Sequence, residues 1–300
     1  MASVEGVIFL VDSEPNKQRH DGSGEKNNPL SPSIGGVGGG DEESVSSYRR
    51  HSMDYVDPVQ IASQTGYTDK RDWYLLIIKE LIDNAVDFLQ TNYKGSINEK
   101  ITIKIRVDAE NLLFYYKVAN TNSKPWKYPV FGDLKDILNF EMRYGSKQNE
   151  HRILMGTLGD AMKRIAAFGY VFAQADNQGI DSKGKDWDQP MIFRANGTTE
   201  RKALIHIDNL KQEVKADIIS TTEEEKQLPN TDTVIENTIP LIAQARDDTY
   251  FPAKIAEYCR KRVAFTTDIS FDIEYSDSRF EGTWKLQVDA LHPIYSKGTT

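Results

Sequence analysis

The stretch IIKELIDNAVDF, residues 77–88, decides how this chain reads. It lies in a run from Trp73 to Leu89 that is otherwise apolar, yet Glu80, Asp83, Asn84 and Asp87 fall at i, i+3, i+4 and i+7. On an α-helix these positions form one stripe, which either faces water or lines a polar site inside the molecule. A solvated face is the ordinary outcome, but three features weigh against it. No Lys or Arg follows in the same helix to support these acids through i,i+4 pairs. Ile77, Leu81, Val86 and Phe88 flank the stripe and keep it narrow. Two strands follow, and then a glycine turn that opens another helix.

Working outward, KITIKIRV (100–107) and LLFYYKVA (112–119) alternate as strands, and DAEN between them is turn material, so a hairpin is expected. FGDLKDILNFEMRYGSK suggests a short helix and a loop, and GTLGDAMKRIAAFGYVF a glycine turn, a helix and then a strand. Further strands are expected at ALIHID, VKADIIS and DTVIENT, a helix at about 249–264, and strands at DISFDIEY and TWKLQV. No internal repeat is visible. The order of elements predicts an α+β fold: a two-layer sandwich of a mixed β-sheet with helices on one face.

Composition limits the function classes. The formal net charge of −8 supplies no overall basic field for nucleic acid or anionic lipid, so such a contact needs a local patch or a partner. Cys259 is the one cysteine, which excludes an intrachain disulfide and points to a reducing compartment. The opening residues MASVEGVIFLVDSEP hold too short an apolar run for a signal peptide, and no run approaches the ~20 apolar residues of a membrane span. A soluble cytoplasmic protein is expected. Residues 13 to about 50 are rich in Gly, Ser, Pro and charge and read as a disordered tail, so residues 1–50 are set apart from a globular domain at 55–300.

The glycine turn is MGTLGDAMKRI, residues 155–165. Gly156 and Gly159 let the backbone approach a ligand closely, and a helix N-terminus suits phosphate. G-x-x-G is weak by itself, and neither a Walker A loop nor G-x-G-x-x-G is present.

Taken together, these motifs resemble the GHKL ATPases, which include gyrase-type and type VI topoisomerase B subunits, MutL and the histidine kinases. ELIDNAVD (80–87) is similar to the family's first box, E-x-x-x-N-A-x-D. RYGSKQNEHRILMGTLGDAMKRI resembles its lid and glycine box, with YGSK similar to the type VI B subunit and GTLGDAMKRI to MutL. DTVIE (232–236) is similar to the strand whose threonine touches bound nucleotide, and AEYCRKRVAFTTDISFDIEY to the closing helix and strand of the type VI B subunit. The resemblance covers about 70–276.

It implies the Bergerat fold, ATP and Mg²⁺ as ligands, Glu80 as general base and Asn84 as the residue supplying an oxygen to the metal. Asp83 and Asp87 are then supporting polar groups, or else solvated or salt-bridged acids. Backbone amides near Gly156 and Gly159 would cradle phosphates, and Thr233 would touch the nucleotide. Lys163 is either a phosphate partner or a surface lysine. The lid would span about 140–158.

One departure stands out. The family's second box is D-x-G-x-G, its aspartate accepting from the adenine amine. Here Asn120 takes the aspartate position, and Asn122 and Lys124 take those of the glycines. An amide oxygen still accepts a hydrogen bond, though more weakly than a carboxylate. Turn chemistry is the plain alternative for Asn120 and Asn122.

Elsewhere, His51 as a phosphoacceptor is outweighed by a histidine in a flexible segment, the histidines and Cys259 lack metal-ligand spacing, and YCRKRVA is a solvated helix face or a DNA or partner patch. The leading expectation is a slow Mg²⁺-dependent ATPase in which ATP switches conformation and drives dimerisation, in a DNA transaction with a partner protein or DNA complex. The alternatives are a histidine-kinase-type phosphotransfer module and a non-hydrolysing interaction module.

Overall fold

The computed structural model describes residues 51–92, 99–121, 134–141, 160–175, 187–195, 200–208, 210–220, 232–266 and 268–290. The expected tail at 1–50 lies outside them.

A 3-10 turn at Ser52–Tyr55, capped by His51, leads into α1 (Pro58–Thr65). Asp57 accepts a hydrogen bond from the Val59 amide at 2.8 Å, and Gly66 at φ 76° ends the helix. A second cap, Asp69, starts the 3-10 turn that runs into α2 (Trp73–Asn92). The expected hairpin forms from β1 (Glu99–Asp108) and β2 (Leu113–Thr121), which pair antiparallel. Then come α3 (Leu134–Ile137), α4 (Ala161–Ala175), β3 (Met191–Ala195), β4 (Arg201–Asp208), β5 (Glu213–Ser220) and β6 (Asp232–Pro240). The last elements are α5 (Phe251–Val263), β7 (Ile269–Asp277) and β8 (Thr283–Val288).

The strands form one sheet in the order β5-β4-β3-β6-β2-β1-β7-β8. Its neighbours are antiparallel except β1 and β7, which run parallel, so the sheet is mixed and the fold is α+β. Alternation decides which face is covered. In β1, Ile101, Ile103, Ile105 and Val107 are buried, whereas Lys104 and Arg106 are exposed. α2 rests on β1 and β2, α4 on β4 and β6, and α5 on β7 and β8. The opposite face carries cross-strand pairs such as Lys100–Asp272 at 2.8 Å and Arg194–Glu236 at 2.6 Å.

Aromatic rings fasten the helices together. Tyr74 of α2 stacks on Phe172 of α4 with centroids 4.4 Å apart, and Trp73 lies against Phe168 and Phe172. The Tyr74 hydroxyl donates to the Pro240 carbonyl at 2.7 Å and accepts from the Ile242 amide at 2.8 Å, so its burial leaves no polar debt at that atom. No helix among the described residues is long and apolar enough to cross a membrane.

Two expectations fail. GYVF is not a strand but the last turns of α4. Its β-favouring residues serve a helical face, with Phe168, Val171 and Phe172 buried at i, i+3 and i+4. Gly169 fits there because Trp187 presses on the helix: a Cβ would lie 2.5 Å from the Trp187 ring, whose indole donates to the Thr238 carbonyl. The second miss is β3, whose five residues MIFRA were not expected as a strand. It is held by pairing on both sides, with β4 and β6.

Candidate functional site

Two separate contacts place three of the predicted residues: Asn84 of α2 lies against the first turn of α4, and Asn120 of β2 lies across from Thr233 of β6. α2 and α4 run antiparallel: Trp73 and Tyr74, at the start of α2, meet Phe168 and Phe172, late in α4, whereas Asn84 meets Met162 in the first turn of α4. The Asn84 Nδ2 approaches the Met162 Sδ at 3.7 Å. That weak contact holds the amide against the start of α4 through its nitrogen.

At the end of the hairpin, Asn120 of β2 lies directly across from Thr233 of β6, which in turn faces Ala195 of β3. Both residues are buried, at 4% and 6% exposure. They share the helix-covered face, since Phe114, Tyr116 and Val118 precede Asn120 at every second position and are all buried. The Thr233 Oγ1 is buried without a hydrogen-bond partner among the described residues. A buried hydroxyl without a partner costs about 1–3 kcal/mol. A central strand holding one has a donor and acceptor available to whatever enters beside it.

The acidic stripe does not share one environment. Asp83 and Asp87 are buried, while Glu80 and Asn84 are partly exposed. Asp83 turns to α5, where Tyr258 donates its hydroxyl to Oδ1 and Arg262 pairs with the same oxygen at 2.7 Å. Lys79 reaches Asp83 Oδ2 at 3.2 Å and Glu80 Oε1 at 3.5 Å. The stripe therefore has a basic i,i+4 partner, one that precedes the acid instead of following it. Asp83 is thus salt-bridged, not solvated. Burial disfavours the Lys79 ammonium, but Glu80 and Asp83 beside it outweigh that, and its pKa lies above the usual lysine value. Burial, followed by the hydrogen bond to Asp83 and its charge, drives the Tyr258 phenol far up.

Lys163 is no surface lysine: its side chain is fully buried, with the ammonium 5.7 Å from the centre of the Tyr55 ring. The Tyr55 hydroxyl donates to Asp160 at 2.7 Å, so the 3-10 turn closes over the start of α4. Gly156 and Gly159, the lid from 142 onward, and Asn122 and Lys124 lie outside the described residues. His51 is an exposed cap that accepts from the Met53 amide.

The fit to a metal and a nucleotide rests on donor chemistry. No cluster of three or more His, Cys, Asp or Glu among the described residues could hold an ion. Mg²⁺ bound to a nucleotide commonly takes one or two protein oxygens beside phosphates and waters, so a single side-chain oxygen from Asn84 fits that use. A separate cavity of about 610 Å³, lined by Met53, Tyr170, Gln174 and Ile207 among others, contains none of the predicted residues.

Sequence reading missed Lys79, Tyr258 and Arg262. The i,i+4 spacings Lys79/Asp83 and Tyr258/Arg262 were visible, but nothing in the sequence pairs α5 with α2.

No protein-family model matches the chain, and no curated protein matches it. Among solved structures, the ATPase region of Saccharomyces cerevisiae topoisomerase II bound to ICRF-187 (dexrazoxane) is similar at a TM-score of 0.39 and 13% identity, over 72% of this chain. The chain spans 49% of that structure's length.

Proposed function

We propose that residues 55–300 form a GHKL-type ATP-binding domain with slow Mg²⁺-dependent ATPase activity. The observation that carries this reading is the Asn120–Thr233 pair. Two residues picked from motifs far apart in sequence face each other across β2 and β6, and the threonine hydroxyl is buried without a partner among the described residues. Asn84 against the first turn of α4 adds support, because it sets the first box beside the helix that follows the glycine turn.

Glu80 then accepts a proton from the attacking water, and its partial exposure leaves it reachable. The Asn84 oxygen, one helical turn further on, would hold the metal. Asn120 accepts from the exocyclic amine of adenine, and Thr233 donates or accepts beside it. The magnesium ion, when bound, offsets charge on the phosphate oxygens. ATP binding acts as a conformational and dimerisation switch in a DNA transaction, together with a partner protein or DNA complex. A non-hydrolysing module is the second reading, favoured by Asn120 standing in place of a carboxylate.

Replacement of Glu80 by Ala tests the first reading. Phosphate release should vanish while the calorimetric affinity for ATP stays within about threefold, because the base acts only at the transition state. Turnover at the wild-type rate in that variant would remove Glu80 from the role. Heatless titration of ATP into wild type, with and without Mg²⁺, would remove nucleotide binding altogether.

A further inference from the structure

We infer that Tyr258 and Arg262 of α5 are positioning residues for Glu80 and Asn84, acting through Asp83. The inference rests on the reading of Glu80 and Asn84 given above. Asp83 directly precedes Asn84 and follows Glu80 by three residues, so it lies within the same helical turn. Its carboxylate, 5% exposed, collects three donors: the Tyr258 hydroxyl, the Arg262 guanidinium at 2.7 Å and the Lys79 ammonium at 3.2 Å. The phenol is fixed in turn, since Arg262 Nε donates to it at 2.8 Å and the guanidinium carbon stands 4.8 Å from the ring centre.

Such a cluster is a poor device for stability. Buried ion pairs often do no better than well-packed apolar groups of the same volume. What they supply is direction: a rotation of α2 that moved Glu80 would pull Asp83 off Tyr258 and Arg262 of α5. The far side of the clamp is firm, because Phe251, Ile255, Cys259 and Val263 bury α5 in the core. Lys79 ties the clamp to the proposed base itself, since the same ammonium lies 3.5 Å from Glu80 Oε1. Tyr258 and Arg262 act through Asp83 on the turn of α2 that carries Glu80 and Asn84.

The test is steady-state phosphate release by the full chain with Mg·ATP, for wild type, Arg262→Met, Arg262→Lys, Tyr258→Phe and Glu80→Gln, with thermal melting of each. Loss of the ion pair in Arg262→Met should lower kcat about tenfold and leave KM within about twofold, as a small misplacement of a reacting group does. Tyr258→Phe keeps ring and ion pair, folds as wild type, and should lower kcat about threefold for the lost hydroxyl, which bonds both Asp83 and Arg262. Arg262→Lys restores a cation but not the fork between Tyr258 and Asp83, so its kcat should lie between those of Arg262→Met and wild type. Wild-type kcat in both Arg262→Met and Tyr258→Phe would overturn the inference. So would losses of kcat that track the melting temperature and are not partly recovered by Arg262→Lys, which would mark a merely structural clamp. If wild type released no phosphate, or Glu80→Gln released as much as wild type, the base assignment would fall and the positioning role with it. Loss in Glu80→Gln with none in the α5 variants would overturn the positioning role alone.

Discussion

Replacing Thr233 by Val separates a ligand-directed hydroxyl from a structural one, because the two predict opposite signs for stability. Thr233 is 6% exposed in β6, between β2 and β3, and its Oγ1 has no hydrogen-bond partner among the described residues. Valine has nearly the same shape and puts a methyl group where the hydroxyl stands. Removing a buried polar atom that lacks a partner recovers part of a desolvation penalty of about 1–3 kcal/mol. Valine also suits a strand at least as well as threonine does. The nucleotide-free protein should gain about 1 kcal/mol, which for a domain of this size raises the melting temperature by about 2–4 °C. ATP binding should move the other way, weakening about five- to tenfold, because a hydrogen bond to the nucleotide contributes about 1 kcal/mol or somewhat more. The assays are urea denaturation and thermal melting without nucleotide, and calorimetric titration of ATP with Mg²⁺. A Thr233→Val protein destabilised by about 1 kcal/mol or more would mean the hydroxyl is satisfied within the fold. A stabilised variant with unchanged ATP affinity would place Thr233 outside the nucleotide site. Either result refutes the reasoning, and the second also removes the observation on which the functional proposal stands.

Asn84→Ala should weaken Mg·ATP binding by about tenfold or more while leaving metal-free ATP binding nearly unchanged, as a lost metal ligand requires; equal effects in calorimetry with and without Mg²⁺ would make Asn84 a structural amide. Asn120→Asp should tighten ATP binding several-fold, from about 1 kcal/mol of charge assistance, and sharpen preference for ATP over GTP; competition between the nucleotides checks it, and unchanged selectivity would place Asn120 outside the base pocket. Gly169→Ala should destabilise the fold by about 1–3 kcal/mol, since its methyl group would sit 2.5 Å from the Trp187 ring; wild-type melting would show that Trp187 yields freely.

Much of the fold was legible because its signals are local. Alternation in KITIKIRV and LLFYYKVA and turn residues between them specify the hairpin within a short window, and Leu112 takes the left-handed conformation its turn needs. The long helix across 73–92 follows from continuous apolar spacing without Gly or Pro. Motif order alone marks Glu80, Asn84, Asn120 and Thr233 as candidates. Where local signals conflict, the sequence misleads. GYVF favours a strand residue by residue, but it lies within a longer helical pattern whose buried face packs on the sheet, and tertiary packing overrides propensity. MIFRA is too short to announce itself and is a strand because β4 and β6 hold it on either side.

Local residue pattern alone specifies an α+β chain and the long helix that carries Glu80, Asp83, Asn84 and Asp87 on one stripe. Tertiary structure alone decided which acids of the stripe are available. Asp83 and Glu80 are near neighbours on one helix with the same chemistry, yet one is clamped by Tyr258 and Arg262 while the other stays partly open. The physical reason is that helical periodicity fixes a side chain's direction from its own axis and nothing more. What meets it there depends on a long-range pairing, here β1 with β7, which sets α5 beside α2. The same holds for Thr233: its hydroxyl is ordinary in sequence and becomes notable only when strands on both sides bury it without a partner among the described residues.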